Sequence, residues 1–103
     1  MYAAIRRATV QPGAVEEVAR RVQEGFVPIL SQVPGFVALY LVRTGDTMVT
    51  TVGLFTDQAG ADESNRRAAT WVPQQLGPLM AGPLEPAAGA VLVQHPQYVV
   101  RSC

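Results

Sequence analysis

The chain has 103 residues, of which 49% are hydrophobic and 16% are charged, so we expect one folded domain with a modest core. Its net charge is zero and all eight basic residues are dispersed arginines, which argues against a nucleic-acid partner. The absence of lysine excludes a Schiff-base lysine, and a single histidine cannot build a multi-histidine centre, so we expect no metal site.

The sequence also bears on where the protein resides. Its one cysteine, Cys103, is the last residue and forms no disulfide framework. The first ten residues lack the apolar run of a signal peptide, and no segment approaches the roughly 18 apolar residues that cross a bilayer. We therefore expect a cytoplasmic protein that does not associate with membranes.

The first predicted elements are a strand and a helix. Residues 2–10 form a β-rich run that ends before Pro12 and Gly13, which favour a turn. From residue 14 to residue 33 the apolar side chains recur on one helical face: Val15, Val18, Ala19, Val22, Phe26, Ile29, Leu30 and Val33. Pro28 falls on the outward side, where we expect a kink or a break of the last turn.

A hairpin is predicted next, from residues 36–44 and 47–56, with Gly45 and Asp46 as its two-residue turn. Both faces of its first strand are apolar, with Phe36, Tyr40 and Val42 on one face and Val37, Leu39 and Leu41 on the other. A sheet covered by helices on one side needs another cover on a second apolar face. We therefore expect a homodimer that forms through the open face of the sheet.

Residues 57–76 predict a second helix that carries one polar residue on its inward face. At about 100° per residue the inward stripe comprises Ala61, Asn65, Ala68, Ala69, Val72 and Leu76. Trp71 lies at its edge, where a large ring can cover a cavity while its N–H finds a partner. An unpaired buried amide costs roughly 1–3 kcal/mol, so Asn65 is either bonded within the fold or placed to meet a ligand.

The remaining segments are a long connection, a last strand and a tail. Residues 77–89 are rich in glycine and proline and are a candidate lid or pocket rim, which Met80 could line. Residues 90–95 predict the last strand, which ends at His95. The folded domain then spans residues 1–95, and residues 96–103 form a tail that either packs on a partner subunit or frays.

The predicted order β-α-β-β-α-β is typical of the ferredoxin-like α+β fold, an antiparallel four-stranded sheet with both helices on one face. Several motifs then resemble the antibiotic biosynthesis monooxygenase (ABM-like) superfamily of dimeric α/β barrels: PGF at residues 34–36, Tyr40, FTD at residues 55–57, and Trp71. The resemblance covers residues 2 to about 95. The superfamily includes cofactor-independent quinone-forming monooxygenases, haem-degrading enzymes and members without assigned activity.

The resemblance implies a site on the second helix. In the quinone-forming members an asparagine and a tryptophan on this helix line a cavity between the helices and the sheet, where a phenolic substrate is deprotonated and reacts directly with dioxygen. Asn65 and Trp71 are therefore the implied catalytic residues, an aromatic polyketide-like compound is the implied substrate, and no cofactor is required. Their six-residue spacing places them roughly 120° apart, so they converge only if the Trp71 ring folds inward. No strong general base stands out among Tyr40, His95 and a pocket arginine.

Other interpretations stay open. Haem degradation fits less well, because those members use a helix histidine and a first-strand asparagine that this chain lacks. Arg6 and Arg7 alternate in direction, so one of them points inward, either to pair with a glutamate or carbonyl or to bind the anionic group of a substrate. The predicted substrate-binding residues are Tyr40, Met80, His95 and Arg6.

The second functional hypothesis is a non-catalytic dimeric module that binds a small hydrophobic molecule or assists a neighbouring enzyme. It predicts a filled core with Asn65 bonded internally, whereas the enzyme predicts a closed apolar pocket beside Asn65 and Trp71.

Overall fold

The computed structural model describes residues 1–96, in which helices pack on one face of a four-stranded antiparallel sheet. The strands are β1 (Tyr2–Thr9), β2 (Phe36–Gly45), β3 (Met48–Phe55) and β4 (Glu85–Ala90). Their order in the sheet is β2-β3-β1-β4, so β1 and β3 are the central strands. This arrangement confirms the predicted ferredoxin-like α+β fold.

The first helical region consists of α1 (Val15–Arg21), a π-helical turn (Val22–Phe26) and α2 (Val27–Leu30). Pro28 is the second residue of α2 and lies two positions after the end of the π-helical turn. Because proline lacks an N–H and its ring crowds the preceding turn, a local change from α to π spacing accommodates it. The expected irregularity near Pro28 is therefore a widened turn inside one continuous helical region.

The predicted hairpin is formed by β2 and β3. The first of these strands extends through Gly45 and the second begins at Met48, so the turn consists of Asp46 and Thr47. The prediction placed this turn one residue earlier, and its position along the chain is otherwise as expected.

A β-bulge near the start of β2 changes which side chains face the helices. The pairing with β3 shifts register between Phe36 and Ala38. One extra residue reverses the alternation of side chains, so Phe36 turns to the helix side, where its ring lies 5.8 Å from that of Phe55. The prediction that Phe36 shares a face with Tyr40 and Val42 is therefore wrong.

Helix α3 (Gln58–Leu76) lies across the sheet and carries the predicted site. Asp57 caps its first turn, because one carboxylate oxygen accepts a hydrogen bond of 2.9 Å from the N–H of Gly60. A side chain at Gly60 would lie only 3.0 Å from both the Phe55 ring and the Pro34 carbonyl. Glycine therefore allows the start of α3 to pack closely against the end of β3. A 3-10 turn, Gly77–Leu79, follows the helix.

The last strand lies earlier in the chain than predicted. Residues 85–90 pair along β1, whereas the predicted strand was the more apolar run of residues 90–95. Pro86 is tolerated because β4 is an edge strand, where a missing backbone N–H need not break a ladder. Leu92 and Val93 lie beyond the strand and are 91% and 86% exposed. The prediction of a last strand over residues 90–95 is therefore wrong.

Residues 97–103 lie outside the described part of the chain, and the predicted tail falls almost entirely on them. Within residues 1–96, no helix combines the length and the apolar character needed to cross a bilayer.

Candidate functional site

The site is organised around Arg6, which lies in the middle of β1. Side chains alternate along this strand, and Ala4, Arg6 and Ala8 face the helices. The Arg6 side chain is buried, with only 3% of the residue exposed. Its Nη1 donates to Ser64 Oγ at 2.9 Å and to Asn65 Oδ1 at 3.0 Å. Arg6 therefore connects a central strand to two consecutive residues of α3.

The positive charge of Arg6 has no counter-charge in the described part of the chain. None of the salt bridges among residues 1–96 includes Arg6, and its buried Nη2 has no hydrogen-bond partner there. The guanidinium lies over the Phe26 ring, 5.5 Å from its centre, which stabilises the cation in part. Burial lowers the pKa of Arg6 to about 10 because the charged form loses its hydration.

Asn65 extends the network from Arg6 to the edge strand. Its Nδ2 donates to the carbonyl oxygen of Ala87 at 3.2 Å, so one amide joins α3, β1 and β4. The amide nitrogen carries two N–H groups, and only one is used in this bond. Asn65 is half-buried and lines a cavity, so a ligand in that cavity would lie beside its amide.

Two cavities lie on either side of this network. The outer cavity has a volume of about 400 Å³ and is lined by Asn65 and by apolar residues that include Ala69, Val72, Pro73, Met80 and Leu84. The inner cavity, of about 30 Å³, lies between the helices and the sheet and is lined by Arg6, Phe26, Thr51, Trp71 and apolar neighbours. Val72, Met80 and Leu84 line both cavities and therefore form the wall between them.

Trp71 does not share the outer cavity with Asn65. Its ring packs against that of Phe26, with centres 5.0 Å apart, and it lines the inner cavity and a separate surface groove. The two side chains therefore do not converge on one cavity, and the single pocket that the enzyme hypothesis places beside both of them is not formed by residues 1–96. They are instead connected through Arg6, which bonds to Asn65 and lies over the ring of Phe26.

The other predicted site residues occupy different places. Met80 lies on the wall between the two cavities, and its backbone pairs with Val10. Tyr40 is 57% exposed and lies on the sheet face opposite the helices. His95 is exposed after the end of β4, in a segment without regular structure. The structure therefore brings Arg6, Asn65 and Met80 together and leaves Tyr40 and His95 apart from them.

Sequence reasoning missed two members of the site, Ser64 and Phe26. Ser64 is completely buried and accepts a hydrogen bond from Arg6, although the predicted inward stripe of the helix did not include it. Its spacing of three from Ala61 and four from Ala68 is the signal that could have placed it inward. Phe26 was assigned to the core, and nothing in the sequence shows that it lies under a guanidinium.

Comparisons with known proteins identify the family. The model of the antibiotic biosynthesis monooxygenase family matches residues 1–69, a range that includes Arg6, Ser64 and Asn65. No curated protein is significantly similar to this chain.

Several solved structures share the fold. A Nitrosomonas europaea protein of unknown function superposes with a TM-score of 0.72 at 18% identity, covering 95% of both chains. A Streptomyces coelicolor monooxygenase in complex with nanaomycin D gives 0.68 at 17% identity, covering 90% of this chain and 92% of that one. A mutant of SnoaB, a cofactor-independent oxygenase from Streptomyces nogalater, gives 0.65 at 20% identity, covering 93% and 97%. At these identities the similarity establishes the fold alone.

Proposed function

The chain belongs to the antibiotic biosynthesis monooxygenase family, and we propose that it is a cofactor-independent monooxygenase whose substrate, an aromatic polyketide-like small molecule, binds in the outer cavity. The observation that carries this proposal is the Asn65 amide, which Arg6 and the Ala87 carbonyl hold at the wall of an apolar cavity of about 400 Å³. Small-molecule sites commonly combine an apolar wall with a few fixed polar groups.

The proposed reaction depends on the reactivity of the substrate itself and on the positive charge and hydrogen-bond donors near the cavity. An electron-rich phenolate can reduce dioxygen itself, so the protein has only to orient it, exclude water and stabilise negative charge. A CH₂ group of the substrate becomes a carbonyl: one oxygen atom of O₂ stays on the carbon, and the other leaves as water with the two hydrogens. The free N–H of Asn65 donates to the substrate oxygen, and the nearby charge of Arg6 favours its anionic form.

The roles of the other predicted residues differ in their support. Met80 borders the outer cavity, which supports its predicted contact with the substrate. Trp71 is separated from that cavity, so we assign it a positioning role, in which its ring supports Phe26 beneath Arg6. The substrate contacts predicted for Tyr40 and His95, and a location in the cytoplasm, stay predictions.

A homodimer through the open sheet face is part of this proposal. Ile5, Val52 and Tyr40 are paired neighbours across three strands, and Ala3, Leu54 and Ala38 form the next row. Side chains that face away from the helices are thus apolar across the centre of the sheet, although Ile5 and Tyr40 are 39% and 57% exposed in the single chain. A second copy of the chain would cover this surface without requiring another protein.

The enzymatic proposal is tested by incubating the protein with a panel of anthrones and following oxygen uptake together with formation of the quinone. We expect turnover, and we expect Asn65→Ala to reduce it by at least about tenfold, because one hydrogen bond to a developing anion is lost. Gln74→Ala is the matched control, since Gln74 is exposed on the same helix. Equal turnover in both variants would refute the role of Asn65.

A non-catalytic binding module is the second candidate. It is favoured by the internal bonds of Asn65, whose oxygen and nitrogen both have partners within the fold. Under this interpretation an anthrone would bind in the outer cavity, as shown by calorimetry, while no oxygen is consumed.

A further inference from the structure

The inner cavity presents a buried cation to a nearly apolar space that neither functional candidate uses. Arg6 is the only charged residue among those that line it, and the only other lining residues with a side-chain hydroxyl or N–H group are Thr51 and Trp71. We infer that this cavity is a binding site for one small monovalent anion, such as a halide or formate, held by the Nη2 group of Arg6. The site goes beyond the proposed function and does not depend on it.

The hydrogen bonds of Arg6 leave room for such a ligand. Nη1 is used by two neutral oxygen acceptors, those of Ser64 and Asn65, whereas the buried Nη2 has no partner in residues 1–96. An anion at Nη2 would accept a charge-assisted hydrogen bond and also balance the charge of the guanidinium. Neutral acceptors can satisfy the first requirement but not the second.

Water is the competing occupant of this cavity. A volume of about 30 Å³ is enough for one or two water molecules. A buried water needs two to four polar partners, and Arg6 and Thr51 meet the lower limit. The Thr51 hydroxyl already donates to the Arg6 carbonyl oxygen at 3.4 Å, so it would accept a hydrogen bond from such a water. A neutral water does not balance the charge of the guanidinium, however, and this difference favours an anion.

Volume and charge define the ligand class. One guanidinium balances a single negative charge, so a divalent anion would leave the apolar cavity charged. A space of about 30 Å³ limits the occupant to one or a few heavy atoms. The same chemistry is available from a free ion or from the acid group of a larger molecule that displaces the wall formed by Val72, Met80 and Leu84.

Bromide is the probe that we would use, because its anomalous scattering distinguishes it from water. Crystals of the wild-type protein grown in sodium bromide are expected to show one anomalous peak in contact with Arg6 Nη2. Water at that position, or an empty cavity, would overturn the inference. This measurement requires no variant and is unaffected by any folding defect.

Solution measurements add a matched pair of variants. At constant ionic strength, bromide at ten times its Kd should raise the Tm of the wild type by about 7 °C in a saturable manner. Arg6→Met should lose this response. Arg7→Met should keep it, because Arg7 lies on the opposite sheet face, is exposed and pairs with Glu85. An equal response in the two variants would overturn the site.

A second arm distinguishes the two sources of the charge. Calorimetry with 1-naphthoate, in the presence and absence of bromide, shows whether the two compete. Competition that requires Arg6 assigns the site to the acid group of a larger ligand, whereas independent bromide binding assigns it to a free ion. Either result supports an anion site at Arg6, and binding of neither probe contradicts it. Absence of oxygen uptake would refute the enzymatic proposal and leave this site intact.

Discussion

Arg6 Nη1 and Asn65 Oδ1 are 3.0 Å apart, and this bond joins a central strand of the sheet to the helix above it. The same amide donates to the carbonyl of Ala87 on the edge strand. A guanidinium that lacks a carboxylate partner thereby fixes the amide at the outer cavity. Substitution of Arg6 should consequently lower the free energy of unfolding and release the Asn65 amide from its fixed position at the outer cavity.

The bond between Arg6 and Ser64 can be tested by a double-mutant cycle. Ser64→Ala should cost about 1.5–3 kcal/mol in the wild type, because it removes a buried acceptor from a charged donor. In an Arg6→Met background the same change should cost close to nothing, since the Ser64 hydroxyl then has lost its donor. Urea unfolding measures both values. Equal costs in the two backgrounds would show that the residues are not coupled.

How far the sequence predicts this fold depends on the element. Alternation and helical periodicity predict β1, β3 and α3, because the buried residues of these elements recur at strand or helix spacing. The last strand is misplaced because residues 90–95 are more apolar than residues 85–90, whereas backbone pairing with β1 determines the strand. The bulge between Phe36 and Ala38 leaves no mark in the local sequence and reverses the assigned face.

The site is less predictable than the fold. The position of Asn65 on an inward helix face follows from the spacing of the apolar residues. Alternation along the first strand shows that either Arg6 or Arg7 points inward, but not which one. The selection of Arg6 over Arg7 depends on the packing of Ala4 and Ala8 under the helices, which is a tertiary property. The separation of Asn65 from Trp71 follows from helix geometry, but the connection between them through Phe26 does not.

Gly25 is the point where the π-helical turn meets Trp71. A side-chain carbon at this position would lie 2.9 Å from Trp71 Cζ2, so Gly25→Ala should displace the ring and destabilise the fold by about 1–3 kcal/mol. Gly77→Ala is the control, because a side chain there meets nothing within 4 Å and should stabilise by about 0.4–1 kcal/mol. Urea unfolding, followed by the fluorescence of the single tryptophan, measures both. Equal stabilisation by the two changes would contradict the close contact.

Glu17 gives a pH dependence with a defined sign. Hydrogen bonds from Arg20 and Arg21 lower its pKa to about 2 from an ordinary value of 4.5. The unfolded chain then binds a proton at higher pH than the folded chain, so the contribution of Glu17 is complete above about pH 4.5 and is lost as the pH falls to about 2. The stability difference between the wild type and Glu17→Gln should narrow over that range.

The ionic origin of this effect has its own control. Because Glu17 lies on an exposed helix face, the difference should be small and should shrink further in 1 M salt. If the stability difference between the wild type and Glu17→Gln is the same at pH 2 as at neutral pH, the charge of the Glu17 carboxylate is not the source of that difference.

Val52 lies at the centre of the open sheet face, paired with Ile5 on one side and Tyr40 on the other. If two copies of the chain meet there, Val52→Asp places an unpaired carboxylate in an apolar interface and should weaken association by at least about 100-fold. Val52 remains partly exposed in a single chain, so the fold itself should persist. Light scattering should then give twice 11.0 kDa for the wild type and 11.0 kDa for Val52→Asp. Gln74→Asp is the control, because Gln74 is exposed on the helix side, and this variant should have the mass of the wild type. A mass of 11.0 kDa for the wild type at micromolar concentration would refute the dimer. It would also show that the apolar sheet face is stable in contact with water.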